Sequence, residues 1–161
     1  MVKEWQEKLR AASSEEKAKV LRRFFKTGPG EYGEGDKFIG VTVPVVREIS
    51  APYSTLPLEE IGKMTQSEIH EFRLAGLLAL VQRYKKTKDD EEKEAVVMFY
   101  LSQTDHINNW DLVDLSAPKI IGEHVARHPN WAHILYELAE SGDLWCERIA
   151  MVSNWTIMRH G

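Results

Sequence analysis

Apolar residues recur along this chain at three- and four-residue intervals, the period of helices that each bury one face. Val2, Trp5 and Leu9 predict a first helix over 2–12. Ala18, Val20, Leu21, Phe24 and Phe25 predict a second, opened by a capping box of Ser13 and Glu16 and running to about Thr27. The stretch 28–36 then places four glycines in nine residues, and the helical pattern gives way to a loop. Phe38 to Val43 is β-like but too short and isolated to build a sheet. Pro44 suits the first turn of a helix carrying Val45, Val46, Arg47 and Ile49, and Pro57 that of a short one with Leu58 and Ile61. Thr65 and Glu68 form a second capping box before a long Leu- and Ala-rich helix, from about Ser67 to Lys86. A charged turn over 88–94 opens a helix to Ser102, and further helices are expected over 110–127, 130–141 and 144–159. The class is therefore all-α.

The pattern also repeats at a longer interval. Segments beginning at Arg73, Asp111 and Arg148 share an aliphatic pattern, and their starts lie 38 and 37 residues apart. Each is preceded by a shorter helix. Such periods mark HEAT- or armadillo-like helical repeats stacked into a curved solenoid, an ARM-like superhelix, whose concave face collects equivalent positions. Arg73, Asp111 and Arg148 are equivalent in this register. Trp110 and Asp114 stand one helical turn apart on a common face, an unusual use of a carboxylate if that face were core. The register lets Trp110, Asp114 and Arg148 line one groove, with Arg73 on its other side. It equally allows a plain Asp–Arg bridge between adjacent repeats.

Composition narrows the function. With 161 residues, 43% of them hydrophobic, one domain covering 1–161 is expected. No stretch has the length of apolar sequence that a membrane span needs, and the charged N-terminus lacks a secretory signal. The single cysteine, Cys146, allows no internal disulfide and suits a reducing cytoplasm. A net charge of −4 excludes a wholly basic nucleic-acid binder but leaves room for a local basic strip. The glycine-rich loop lacks the Gly-Lys-Ser/Thr ending of a phosphate loop. His124, His128 and His133 lie close in sequence, but without a HExxH pattern or a second cysteine no metal is expected, and no cofactor. Cys146 reads as a small apolar residue, and Trp5, Trp131 and Trp145 read as core.

Four stretches carry a resemblance: Tyr32-Gly33-Glu34-Gly35-Asp36-Lys37-Phe38-Ile39-Gly40-Val41 with Pro44 and Arg47, then Ser67-Glu68-Ile69-His70-Glu71-Phe72-Arg73, then Ile107-Asn108-Asn109-Trp110-Asp111-Leu112-Val113-Asp114, and Leu144-Trp145-Cys146-Glu147-Arg148-Ile149-Ala150. In order and spacing they resemble the AlkD-type DNA alkylation repair family, monofunctional DNA glycosylases built from HEAT-like repeats. The resemblance implies hydrolysis of the N-glycosidic bond of positively charged alkylated purines, N7-methylguanine and N3-methyladenine, in duplex DNA. It implies that Asp114 is the catalytic carboxylate, that Trp110 packs against the lesion-bearing deoxyribose, and that Arg148 holds the nearby backbone. Arg47 matches a phosphate-contacting arginine. Arg73, Tyr32 and Lys37, within the matching stretches, are expected to join the DNA contacts. Members of the family are understood to act without swinging the damaged base into a pocket.

Two departures shape the expectation. The family continues through further helices that carry a second groove tryptophan, whereas this sequence stops at Arg159-His160-Gly161, and Trp155 is not placed to substitute. A chain shortened at its C-terminus, with a homodimer formed through the uncapped last helix, is one expectation. A non-catalytic helical-repeat module that binds DNA or a protein partner through the same groove is the alternative to the enzyme. Either way the protein is expected in the cytoplasm, on the nucleoid when bound to DNA.

Overall fold

The structure, a computed structural model describing residues 1–160, is all-α; among the described residues no strand forms. Contacts divide the chain into two compact units, Met1–Gln82 and Arg83–Gly161, the division falling within one long helix.

The first unit comprises α1 (Val2–Ala11), α2 (Glu15–Phe24), α3 (Val43–Ser50), a 3-10 turn (Ala51–Thr55), α4 (Leu58–Thr65) and most of α5 (His70–Lys86). Trp5 and Leu9 of α1 are fully buried, as their spacing predicts. Trp5 stacks on Tyr53 at 4.9 Å and its Nε1 donates to Ser50 Oγ, so a large ring is buried with its one polar atom satisfied. The cap of α2 is Ser14 rather than Ser13: Ser14 Oγ accepts from the Lys17 N–H, while Ser13 Oγ donates back to the Arg10 carbonyl. The helix also ends at Phe24, short of Thr27. Lys26 takes a left-handed conformation (φ 52°), and the Thr27 N–H reaches back to the Arg22 carbonyl. Only part of the expected apolar face of α2 is used: Ala18 is buried and Phe25 follows it in, but Val20 and Phe24 are exposed.

The β-like run finds no strand partner beyond a single parallel bridge between Lys37 and Ile69. Its amides turn instead to one carboxylate. Glu71, 1% exposed, accepts from the N–H groups of Ile39, Gly40 and Val41, with distances of 2.7 Å at Gly40 and 3.1 Å at Val41. Three charge-assisted bonds offset the cost of burying the acid. Gly40 is required there: it lies at φ 83°, and a Cβ would sit 1.9 Å from the Ser14 carbonyl oxygen.

The second unit continues with α6 (Asp90–Ser102), a 3-10 turn (Thr104–His106), α7 (Trp110–Asp114), a π-helical turn (Pro118–Gly122), α8 (Glu123–Arg127), a 3-10 turn (Pro129–Trp131), α9 (His133–Ala139) and α10 (Leu144–His160). The helix expected over 110–127 is thus broken. Pro118 has no N–H to offer the Asp114 carbonyl and its ring crowds that position, so α7 ends at Asp114 and the chain resumes in a wider turn. Helix α10 closes over the break: Thr156 Oγ1 donates to the Pro118 carbonyl at 2.8 Å and Ser153 Oγ to that of Ala117. A Cβ on Gly122 would come within 2.8 Å of the Ser153 carbonyl oxygen, so this glycine sets the close approach. Lys93, within the charged turn expected over 88–94, is 5% exposed; its Nζ donates to the Tyr84 carbonyl at 2.7 Å and lies 4.2 Å from the Tyr84 ring centroid. On α10 it is Met151, Trp155 and Met158 that face solvent, whereas Ile149 is fully buried.

Candidate functional site

Asn109 begins α7 from an extended conformation (φ −151°), its Oδ1 accepting the Trp110 N–H at 2.8 Å. The cap fixes where the short helix starts, and therefore which residues share a face. Asp111, in the first turn, is 4% exposed and its carboxylate accepts from the Leu112 N–H. Trp110 is half-buried. Asp114, one turn later, ends the helix with its side chain 32% exposed. Beneath them Tyr100 is fully buried and donates to Ser116 Oγ, which in turn donates to the Leu112 carbonyl. Burial pushes the Tyr100 phenol up, with the nearby Cys146 and Asp114 adding to the effect, so it stays neutral.

Arg148 reaches Asp114 from α10. Its Nε donates to Asp114 Oδ1 at 2.8 Å and its Nη2 to Oδ2 at 2.7 Å, a bidentate pair whose arginine side chain is 41% exposed. The hydrogen bonds to Asp114 raise the Arg148 pKa further above its ordinary range. Asp143 anchors the start of α10 by accepting from the Trp145 and Cys146 amides. The lock at Ala117, Pro118 and Gly122 holds the helix further along. Arg148 lies between these two fixed points. The arrangement is an oriented carboxylate, matched by one guanidinium, reachable from solvent, with an indole one turn away on the same short helix. Chemically, such a group can stabilise developing positive charge at an approaching atom, and the guanidinium can hold a phosphate.

In the first unit, Arg47 is exposed on α3 and enters no ion pair among the described residues. Tyr32 is 43% exposed in the glycine-rich loop. Lys37 is exposed and pairs with Glu68 at 2.8 Å. Arg73 lies elsewhere: it is 6% exposed, donates to the Ser67 and Glu68 carbonyls, and pairs with Asp36 at 2.9 Å. Asp36 also meets His70 Nδ1 at 2.5 Å. Burial works against the Asp36 anion, but His70 and Arg73 outweigh it and hold the carboxyl below its ordinary value. Arg73 and Asp111 are therefore interior, while Arg148, equivalent in the repeat register, stands at the surface.

The sequence pattern missed Asp36, His70 and Glu71 as a buried polar cluster that shapes the loop carrying Tyr32 and Lys37. Its signal was a run of polar residues at a helix start, which periodicity assigns to solvent. His124 Nδ1 lies 2.9 Å from the Tyr84 hydroxyl, and its ring packs 4.7 Å from His128 and from Trp131. Among the described residues no group of three His, Cys, Asp or Glu side chains is placed to hold a metal ion. Cys146 is half-buried, and burial pushes its thiol up. No helix among the described residues is long and apolar enough to cross a membrane.

Neither the curated proteins nor the solved structures yield a match to this chain. The family model described as a DNA alkylation repair enzyme matches residues 5–161, nearly the entire sequence, and the chain belongs to that family.

Proposed function

We propose that the protein is a DNA glycosylase that hydrolyses the N-glycosidic bond of cationic alkylated purines, N7-methylguanine and N3-methyladenine, in duplex DNA. The observation that carries the reading is the half-exposed, bidentate Asp114–Arg148 pair at the broken end of α7, with Trp110 one turn away. A cationic base needs no general acid. As the C1′–N bond breaks, its electron pair neutralises the base, and positive charge develops on the deoxyribose. A carboxylate facing the sugar stabilises that charge, and water completes the reaction by adding to C1′ and losing a proton. In this reading Asp114 stabilises the oxocarbenium-like sugar and orients the water. The face of Trp110 packs on the deoxyribose and favours a cation. Arg148 keeps Asp114 aimed while its exposed edge meets the backbone. Arg47, Tyr32 and Lys37 supply further phosphate contacts. Arg73 acts indirectly, by fixing Asp36 and hence the loop that presents Tyr32 and Lys37.

Stability alone is a poor reason for the Asp114–Arg148 pair, because an ion pair this exposed contributes roughly 0–1 kcal/mol. A second reading has one observation in its favour: both Asp114 oxygens already accept from Arg148. In that case the same face binds DNA, or a protein, without catalysis. Asp114→Asn separates the two. Release of N7-methylguanine from methylated duplex DNA should fall at least 100-fold while DNA binding stays within a few-fold of the parent. Release at the parent rate would remove Asp114 from catalysis, and absence of release by the parent chain would leave the binding module.

A further inference from the structure

Lys19, Arg22, Arg23 and Lys26 stand at positions i, i+3, i+4 and i+7, one face of α2 and its C-terminal extension. Together with Thr27, Gly28 and Glu31 they line a shallow pocket of about 500 Å³ inside the first unit. Lys19, Arg23 and Lys26 are exposed and enter no ion pair among the described residues, whereas Arg22 is occupied by Glu15 at 2.8 Å and by the Phe38 carbonyl. Four cations over about 10 Å of helix are a local excess in a protein whose net charge is −4.

Two Arg residues in the last turn of a helix can be explained by its dipole alone. Lys26 cannot. The Thr27 N–H bonds the Arg22 carbonyl and the Lys26 N–H bonds that of Arg23, the two bonds of a helix ending that turns through a left-handed residue. Glycine is the unstrained occupant of that position. Here it is a lysine at φ 52°, the one left-handed non-glycine residue among those described. A side chain kept where its own backbone is disfavoured points to a use for its charge.

We infer that the Lys19–Arg23–Lys26 face of α2, in the first unit, is a docking surface for the DNA phosphodiester backbone, independent of lesion chemistry. It rests on the reading of the protein as a DNA binder. The backbone offers a row of singly charged, solvent-facing anions that match a row of exposed cations. A flexible lysine beside an open pocket meets them without fixing their sequence.

The test uses the full chain and an unmodified duplex oligonucleotide, with affinity measured across a salt series. Lys26→Gly should melt at the parent temperature or above, since it relieves the left-handed strain, yet bind several-fold more weakly at low salt. Its log–log salt slope should be shallower by about one. The pair Lys19→Ala with Arg23→Ala should lower the slope by about two. Parent affinity and slope in both variants would overturn the inference and leave the proposed function standing. A parent chain with no DNA affinity would overturn both. A Lys26→Gly chain that melts well below the parent would remove the strain argument and the inference with it.

Discussion

Arg148 meets Asp114 through two parallel N–H···O bonds, a geometry that a planar guanidinium provides and an ammonium does not. Arg148→Lys keeps the charge and loses the fork, so one contact would have to serve two carboxylate oxygens. Because the pair is half-exposed, the expected stability change is within about 1 kcal/mol, whereas the aim of the carboxylate is lost. Base release should fall by about 10-fold or more with a melting temperature within about 3 °C of the parent. A fall in both to the same extent would make the pair a structural bridge. At this scale the sequence was most informative where chemistry and spacing agreed. Trp110 and Asp114 share a face because α7 begins where the pattern predicts, and Arg148 of α10 meets Asp114 in the Asp–Arg bridge that the spacing allowed. Arg73 has the same register and a different fate, because Asp36, thirty-seven positions away, supplies a buried counter-charge that no periodicity shows. Lys93 is the same lesson in reverse: a charged run in sequence, but a buried ammonium over the Tyr84 ring.

Single helices here are legible from their apolar spacing, and their interruptions are not. The 110–127 segment keeps a continuous helical phase through Leu112, Val113, Ala117, Ile120, Ile121 and Val125, all buried, so the pattern reads as one helix. Pro118 breaks it without disturbing that phase, because a π-helical turn carries the chain on with the same residues inward. At the break Ser153 and Thr156 of α10 donate to the Ala117 and Pro118 carbonyls, and the missing side chain of Gly122 allows the approach. These are pairings across more than thirty residues, outside the reach of local pattern. They also tie the seat of α10 to the position of Arg148. Gly122→Ala gains a little helix propensity, but its Cβ must displace Ser153 or Thr156. The net expectation is a loss of about 1–3 kcal/mol, a melting temperature lower by roughly 3–10 °C, and base release reduced beyond what the unfolded fraction explains. Normal release per folded molecule would show that Arg148 does not depend on this seat.

At the scale of the whole molecule, the two units carry different buried titrating groups, and acid should therefore act on them in order. His124 in the second unit is 1% exposed. Burial, and after it His128 and Lys93, lowers its pKa to about 4, against 6.5 ordinarily. A group with a depressed folded pKa binds protons more readily when unfolded. Its contribution is fully present above pH 6.5 and drains away as pH falls towards 4, on the order of 3 kcal/mol at most. Asp36 in the first unit is depressed from 3.8, so its contribution is intact above that pH and is lost only further down. The repeat reading anticipated one continuous stack and carried no hint of this ordering, since it depends on which side chains are enclosed. Amide hydrogen exchange followed by mass spectrometry across pH 7 to 3 should show peptides of α8 and α9 losing protection between pH 6.5 and 4. Peptides around Asp36, His70 and Arg73 should hold until the lowest values. His124→Asn, which cannot take up a proton, should flatten the first step and leave the second in place. Earlier loss in the first unit, or an unchanged first step in that variant, would refute the assignment of the acid limb to His124.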